Sequence, residues 1–126
     1  MTENEISYII RGAIFNVYNN LGPGLLESAY EAALKIEIMK AGLTVETQVY
    51  LPLVYEGITI PKAYRIDLLV EKKVIVELKA VQHVSDVCYK QLQTYLKMTG
   101  LKLGILVNFN VDDILDNAIF RVANGL

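Results

Sequence analysis

The sequence has few of the residues that build disulfides and zinc sites, and it lacks long apolar runs. Its 126 residues include one cysteine, Cys88, one histidine and no tryptophan. A single cysteine excludes an internal disulfide, and so few Cys and His residues exclude a zinc site built from these two types. The apolar runs are short, with Leu103 to Val107 as a typical example, far below the roughly 20 residues that span a bilayer. We therefore expect no membrane association.

A large excess of charge of either sign is also lacking. Lys and Arg number 12 and Asp and Glu number 14, which leaves a net charge of −2. This balance argues against a protein that coats nucleic acid through bulk charge, because non-specific binding depends on neutralised phosphates. The first residues, Met1 to Glu5, are acidic where a secretory signal is basic. We therefore expect a cytoplasmic protein whose nucleic-acid contacts, if it makes them, are local.

What the chain has in quantity is apolar residues, which make up 53% of it, with 21% charged. This composition supplies a packed core and excludes a disordered segment. A length of 126 residues suits one domain, since single domains usually run to roughly 100 to 150 residues. The sequence predicts a single domain over residues 1–126.

Two amphipathic helices are predicted at the start of the chain. Apolar residues recur at three- and four-residue steps from Glu3 to Asn20, and again from Leu26 to Met39. The turn Gly22-Pro23-Gly24 separates the two helices, and Gly42 stands where the second should end.

The middle of the chain changes to β-branched and aromatic residues, which are typical of strands. The predicted strands are Val45–Tyr50, Leu53–Tyr55, Ile58–Ile60, Tyr64–Val70 and Val74–Ala80. Only Glu71, Lys72 and Lys73 separate the last two strands, so we expect an antiparallel hairpin there.

A third helix and two more strands complete the pattern. Ser85 stands at the N-cap of a helix that should end at Gly100. Residues 103–108 are nearly all apolar, which is typical of a central strand covered on both faces. Residues 118–122 are interpreted as a last strand, and residues 112–117 give no clear pattern. The order predicts an α/β (α+β) fold, one mixed β-sheet flanked by α-helices.

The predicted hairpin brings two acids together. If Val70 pairs with Val74 across the three-residue loop, Asp67 faces Glu77, and directly opposed residues have Cβ atoms about 4.5 to 5.5 Å apart. Two adjacent carboxylates repel, so a protein that keeps them normally holds a cation between them. Mg²⁺ prefers oxygen ligands and needs only one or two carboxylates. Lys79, on the same strand face as Glu77, would then orient water or stabilise charge on a phosphate.

The same spacing has a structural interpretation. An acid two residues before a lysine is a common strand pattern, and Asp67 would serve equally as a salt-bridge partner of Lys79 or Arg65. Taken alone, the spacing favours this interpretation, because charged groups also form purely structural networks.

The residues Gly24-Leu25-Leu26-Glu27-Ser28-Ala29-Tyr30 match the pattern that names the GxxExxY protein family, a branch that resembles the PD-(D/E)XK nuclease superfamily. Four further blocks match in order and cover nearly the whole chain: Tyr64 to Glu71, Val74 to Ala80, Gln91 to Lys97 and Gly104 to Phe109. The resemblance implies a restriction-endonuclease-like core that uses Mg²⁺ or Mn²⁺.

The resemblance also implies metal ligands. Asp67 and Glu77 resemble the metal-binding carboxylates, assisted by the backbone carbonyl of Leu78, and Glu27 resembles the helical acid that completes many such sites. Ile66 stands where the superfamily name has proline, at a position that varies among members.

Catalytic and substrate-contacting residues follow from the same resemblance and from helical spacing. Lys79 resembles the catalytic lysine, and Gln91 resembles the helix glutamine at the edge of the site. Glu27 and Tyr30 share a helix edge, as do Gln91 and Tyr95, so both tyrosines are candidates for substrate contact.

The other tyrosines divide by pattern. Those interpreted as ordinary packing are Tyr8, Tyr18 and Tyr50, and those expected to share a cleft are Tyr30, Tyr64, Tyr89 and Tyr95. Lys62 and Arg65 are among the residues that would give such a cleft a basic rim.

Two hypotheses follow. The first is a metal-dependent endo- or exonuclease, a hydrolase that cleaves DNA or RNA phosphodiesters. The second is a non-catalytic nucleic-acid- or protein-binding module that retains the nuclease fold. A homodimer is also expected, since a small sheet protein with an exposed apolar face tends to associate.

Overall fold

The computed structural model describes residues 1–114 and 118–126 of the chain. This part of the chain contains three helices, α1 (Glu3–Leu21), α2 (Glu27–Lys40) and α3 (Asp86–Thr99). It also contains five strands, β1 (Val45–Tyr55), β2 (Ile58–Val70), β3 (Val74–Lys79), β4 (Leu103–Asn108) and β5 (Ile119–Ala123). None of these helices combines the length and apolar content needed to cross a membrane.

The five strands form one mixed sheet in the order β1-β2-β3-β4-β5. The central pair β3 and β4 is parallel, and the other neighbours are antiparallel. Helix α3 connects β3 to β4, because parallel neighbours need a crossover connection. This arrangement confirms the predicted mixed sheet flanked by helices.

The helices cover opposite faces of the sheet. The stripe of α1 formed by Ile6, Ile10 and Ile14 packs, together with α2, against one core that includes Val76 and Leu78 of β3. Helix α3 packs its own stripe, Leu92, Tyr95 and Leu96, against the other core. All six residues of β4 are buried, which confirms the prediction of a central strand covered on both faces.

The predicted helices and the last strand agree with the structure to within one or two residues, but the middle strands do not. Val45–Tyr50 and Leu53–Tyr55 belong to the single strand β1, and Ile58–Ile60 and Tyr64–Val70 belong to β2. Proline cannot donate to a sheet ladder, yet here the ladder continues past the prolines with a register shift between Leu51 and Leu53.

Two local predictions also have definite outcomes. Ser85 occupies the N-cap of α3, but its side chain makes no capping hydrogen bond. Of the segment 112–117, which gave no clear pattern, residues 115–117 lie outside the described residues.

The turn between β2 and β3 has the predicted register. Val70 pairs with Val74, and the loop closes through Glu71 and Lys72, whose φ angles are 52° and 54°. The side chain of Glu71 accepts hydrogen bonds from the Thr44 backbone N–H (2.8 Å) and hydroxyl (2.5 Å). The turn is thereby tied to the start of β1.

Along β1 and β2, the side chains that face one core at one end of the pair are replaced by side chains that face the other core further along. Val45 and Leu68 pack in the core under α1 and α2, whereas Val49 and Ile66 pack in the core under α3. Simple alternation would keep Val45 and Val49 on one face. The change occurs at Gln48, whose φ of 54° is unusual for a residue other than glycine. Asp67, the residue opposite this bend, is therefore released from the regular ladder.

Gly104 on β4 gives a first stability prediction. A Cβ placed on Gly104 would lie 2.6 Å from Cδ1 of Leu92, so β4 and α3 pack too closely for a larger residue. Gly104→Ala should lower the free energy of unfolding by about 1 to 3 kcal/mol through overpacking, measured by urea denaturation. Gly12→Ala is the matched control, since a Cβ added there would meet no atom within 4 Å beyond the neighbouring residues and the local helix backbone. It lies in α1 and should stabilise by about 0.5 to 1 kcal/mol. Equal stability of Gly104→Ala and wild type would contradict the prediction.

Candidate active site

The structure gathers most of the predicted site residues around one cavity of about 400 Å³. Its charged and aromatic lining consists of three acids, three bases and three tyrosines: Glu27, Asp67, Glu77, Lys62, Arg65, Lys79, Tyr50, Tyr64 and Tyr95. Gln91 also lines it. Six predicted residues therefore meet here, namely Glu27, Asp67, Glu77, Lys79, Gln91 and Tyr95.

The two central acids are joined through the backbone of β3. The β2–β3 ladder runs from Val70 to Leu68 and stops there, so the expected ladder pairing of Asp67 with Glu77 is replaced by side-chain contacts. The Leu78 N–H donates to Oδ2 of Asp67 (2.9 Å), and the Asp67 N–H donates to Oε1 of Glu77 (3.4 Å). The bend at Gln48 accounts for this difference, because it takes Asp67 out of register.

Glu77 is a buried acid, with only 5% of its surface exposed. Burial, followed by the hydrogen bond and the negative charge of Asp67, raises the pKa of Glu77 to about 10. Without a cation, Glu77 therefore carries a proton at neutral pH. The sheet holds the carboxyl groups of Asp67 and Glu77 in contact, and a proton on one of them would remove the repulsion between two negative charges.

Lys79 ends β3 on the face that Glu77 shares, as alternation predicted. Its backbone is held on the β4 side, where it pairs with Asn108 and accepts a hydrogen bond from the Phe109 N–H (2.9 Å). The buried Asn108 amide bonds to both the N–H (3.1 Å) and the carbonyl (2.9 Å) of Val81. Sequence reasoning missed Asn108, although a polar residue at the end of an apolar strand is a usable signal.

Glu31 is a second residue that sequence reasoning missed. It lines a neighbouring cavity of about 270 Å³ that shares Glu27, Arg65 and Asp67 with the first. Gln48 donates a hydrogen bond from Nε2 to Oε1 of Glu31 (2.6 Å). Burial and the nearby Asp67 raise the pKa of Glu31. Its position four residues after Glu27 on one helix was the available signal.

Tyr30, which the sequence predicts as a substrate-contacting residue, is not among the residues that line the cavity, and that role stays a prediction. It is fully buried and stacks on Phe109 with ring centroids 4.4 Å apart. Its hydroxyl donates to the Gly22 carbonyl (2.6 Å) and accepts from the Leu25 N–H (3.1 Å). Tyr30 thus fixes the turn before α2, and that turn places Glu27 as the first residue of the helix.

The turn contacts of Tyr30 give a second stability prediction. Tyr30→Phe keeps the stacked ring but removes the hydroxyl that bonds to the partly buried backbone groups of Gly22 and Leu25. We expect a loss of about 0.5 to 1.5 kcal/mol in the free energy of unfolding, measured by thermal and urea denaturation. Tyr8→Phe is the control, since Tyr8 is 80% exposed and should unfold like wild type. A Tyr30→Phe protein as stable as the Tyr8→Phe protein would contradict the assignment.

The third helix supplies the opposite wall. Tyr95 is buried and meets Tyr64 edge to face, with centroids 5.9 Å apart. Burial and the charge of Glu77 raise the pKa of the Tyr95 hydroxyl. Gln91, one turn before Tyr95, is exposed at the rim. Tyr89, expected in the same cleft, instead lines a separate cavity beside His83.

The donor set suits a hard divalent cation. Asp67 and Glu77 offer carboxyl oxygens, which Mg²⁺ prefers, and a metal bound by two carboxylates keeps positions for water and phosphate. The raised pKa of Glu77 shows that two negative charges are unfavourable here, and a bound cation would offset their repulsion. Within residues 1–114 and 118–126, no three Asp, Glu, His or Cys side chains converge into a ready metal cage. Glu27 therefore lines the cavity without completing a cluster, and its role as a ligand stays a prediction.

Comparison with known families gives one match. A family model described as the PD-(D/E)XK nuclease superfamily matches residues 4–122. The match spans nearly the whole chain and includes every residue that lines the main cavity. No curated protein and no solved structure matches the chain.

Proposed function

The chain belongs to the PD-(D/E)XK nuclease superfamily, and we propose on that basis that it is a metal-dependent nuclease that hydrolyses phosphodiester bonds of DNA or RNA. The observation that carries the proposal is the pair formed by the buried Glu77 and the partly buried Asp67, held in contact at a cavity that Lys79 also lines. A fold does not define an activity, so the proposal depends on this chemistry. Within the superfamily, we propose membership of the GxxExxY branch, which the residues Gly24, Glu27 and Tyr30 around the turn into α2 support.

The cofactor in this proposal is Mg²⁺ or Mn²⁺. Asp67 and Glu77 would hold it, and we propose the Leu78 carbonyl and Glu27 as further ligands. When bound, the ion supplies Lewis-acid polarisation of a phosphate and lowers the pKa of a bound water. Ligand carboxylates bind metals in their ionised form, so metal binding would require Glu77 to lose the proton that its raised pKa favours.

The other residues of the cavity act on the phosphate and the water. The Lys79 ammonium would stabilise the negative charge that grows on the phosphate during attack. Gln91, at the rim, would orient the water or the strand through its amide. Lys62 and Arg65 add positive charge at the entrance, where a polyanion would approach. The cavity can therefore attract a phosphate despite its three acids.

Cleavage assays test this function directly. Purified protein is incubated with plasmid and with single-stranded DNA and RNA in Mg²⁺, Mn²⁺ or EDTA, beside Glu77→Ala and Lys79→Ala. We expect metal-dependent cleavage by wild type and strongly reduced cleavage by both variants. Equal cleavage by all three proteins would indicate a contaminant and would contradict the proposal.

A non-catalytic binding module is the second candidate. It is favoured by one observation, that three metal-binding side chains do not converge within the described residues. The two candidates differ in metal binding, because a ligand at 100 times its dissociation constant stabilises by about 2.7 kcal/mol. If Mn²⁺ raises the melting temperature of wild type and not that of Asp67→Ala, the protein binds the metal at Asp67. That result would exclude a binding module that uses no metal.

Two smaller expectations stay predictions. Exposed apolar residues near the β1–β2 turn, Leu53, Val54, Tyr55, Ile58 and Ile60, favour a homodimer. Sedimentation at micromolar concentration tests it, and a monomer would contradict it. A cytoplasmic location likewise stays a prediction.

A further inference from the structure

Strands β1 and β2 extend well past the rest of the sheet. The β2–β3 ladder uses only Leu68, Leu69 and Val70 of the thirteen residues of β2. Residues 50–65, which we call the ribbon, continue as a two-stranded antiparallel hairpin. Its base lies at the cavity, since Tyr50, Lys62 and Arg65 all line it. The ribbon is therefore a projection beside the proposed catalytic centre.

An irregularity in the ribbon brings two side chains together at the cavity. Leu51 pairs with Tyr64, but Leu53 pairs with Ile60, so β2 has two more residues than β1 over this step. Within this bulge lies Lys62, whose Nζ is 4.9 Å from the centroid of the Tyr50 ring. Bulges commonly redirect side chains beside active sites. Here the bulge sets an ammonium and an aromatic ring at one position on the cavity wall.

The contact between Tyr50 and Lys62 contributes little to the stability of the fold. Tyr50 is 47% exposed, and Lys62 is exposed as well. An exposed cation–π contact contributes only about 0.5 to 1 kcal/mol, and the ring leaves much of its apolar surface in water. Both side chains nevertheless line the same cavity as Asp67 and Glu77. Proteins that bind single-stranded nucleic acids combine an exposed aromatic ring, on which a base stacks, with a basic side chain that contacts a phosphate.

We propose that Tyr50 and Lys62 form a strand-holding subsite for unpaired nucleic acid. Lys62 contacts a phosphate next to the scissile one, and the Tyr50 ring stacks on a base of the same strand. The inference deepens the proposed nuclease function and rests on it. In a duplex the faces of the bases are stacked on their neighbours, so a ring can stack only on an unpaired or extruded base. The cavity, at about 400 Å³, has the size of a small-molecule pocket, which suits a nucleotide more than a double helix.

The test compares substrates with and without flanking nucleotides. The full-length protein with Mn²⁺ is assayed on bis(p-nitrophenyl) phosphate, on a single-stranded oligonucleotide and on the duplex of the same sequence. Tyr50→Ala and Lys62→Ala should each raise KM for the single strand about tenfold or more, beyond any change in KM for the small diester. For Tyr50→Ala this is the size expected from the loss of one base stack. Lys62→Ala should also flatten the salt dependence of binding by about one phosphate contact.

Matched controls come from the same protein. Arg11 lies over the ring of Phe15 at 5.3 Å, and neither residue lines the cavity. Arg11→Ala controls for Lys62→Ala, and Tyr8→Ala controls for Tyr50→Ala at another exposed tyrosine. Both controls should keep the wild-type KM for every substrate. Wild type should prefer the single strand over the duplex, and Tyr50→Ala should reduce that preference.

Several results would overturn the subsite. The first is an equal rise in KM for the diester and for the oligonucleotide. The second is an unchanged KM in both variants, and the third is a wild type that prefers the duplex. A changed sedimentation coefficient of Tyr50→Ala without nucleic acid would assign the pair to a contact between copies of the chain. If wild type cleaves none of the substrates, the nuclease proposal fails. Fluorescence anisotropy with a labelled single strand then decides the subsite, which is supported by a tenfold weaker Kd in both variants and overturned by an unchanged Kd.

Discussion

Glu77→Gln is expected to give an inactive protein that is more stable than wild type in EDTA. The substitution keeps the shape of the side chain, removes a metal ligand, and should reduce metal-dependent cleavage by at least about 100-fold. Wild-type Glu77 has its pKa raised to about 10 by burial and by Asp67. Folding at neutral pH therefore requires a proton to be taken up by this carboxyl group, and a glutamine amide requires none.

The sign of the pH dependence follows from this proton. Between the unfolded pKa of 4.5 and the folded pKa of about 10, the folded state binds the proton and the unfolded state does not. The stability contributed by the group is full below pH 4.5 and is lost as the pH rises toward 10. The loss is at most about 1.4 kcal/mol for each pH unit. Glu77→Gln should abolish this slope, so its advantage over wild type should grow with pH.

Urea denaturation in EDTA from pH 5 to pH 9 measures this effect, with Mn²⁺ added in a parallel series. Mn²⁺ should stabilise wild type and leave Glu77→Gln unchanged, so the order of stability reverses in metal. Glu46→Gln, at an exposed position of β1, removes one negative charge elsewhere and should follow wild type in both series. A Glu77→Gln protein that unfolds in parallel with wild type across the pH range would contradict a protonated Glu77.

The hairpin that carries the site was predictable because its determinants are local. The three residues between Val70 and Val74 indicate the observed register of the hairpin, and alternation along β3 places Glu77 and Lys79 on one face. What lay beyond prediction was the bend at Gln48, since a positive φ at glutamine has no sequence signature. The bend changes a ladder pair into a carboxyl pair that uses the Leu78 N–H. The burial of Glu77, followed by its contact with Asp67, raises the pKa of Glu77.

The tyrosines show a second limit of sequence reasoning. Helical spacing places Tyr30 on an edge with Glu27, but it cannot show that the ring continues inward to stack on Phe109. The sequence pattern favours ordinary packing for Tyr50, and only the three-dimensional arrangement past the register shift at Leu51 shows that it lines the cavity with Lys62. In both cases the deciding contact joins residues distant in sequence, which periodicity does not record.

Lys79→Met should separate catalysis from metal binding. The substitution keeps an unbranched apolar stem and removes the ammonium from the cavity that Asp67 and Glu77 line. If the ammonium stabilises charge on the phosphate, the turnover number should fall about 100- to 1000-fold, while the Mn²⁺-induced rise in melting temperature stays. Lys97→Met is the control, since Lys97 is exposed in the last turn of α3 and should keep wild-type turnover.

The same variant decides between the functional and the structural interpretation of Lys79. A partly exposed ion pair contributes about 0 to 1 kcal/mol to stability, so a structural role predicts a small change in melting temperature and unchanged turnover of bis(p-nitrophenyl) phosphate. A catalytic role predicts lost turnover even on this diester, because the ammonium acts on the phosphate itself and not on flanking nucleotides. Loss of the Mn²⁺ shift together with turnover would place Lys79 among the groups that shape the metal site. The diester rate and the metal shift, measured on one protein, therefore distinguish all three roles.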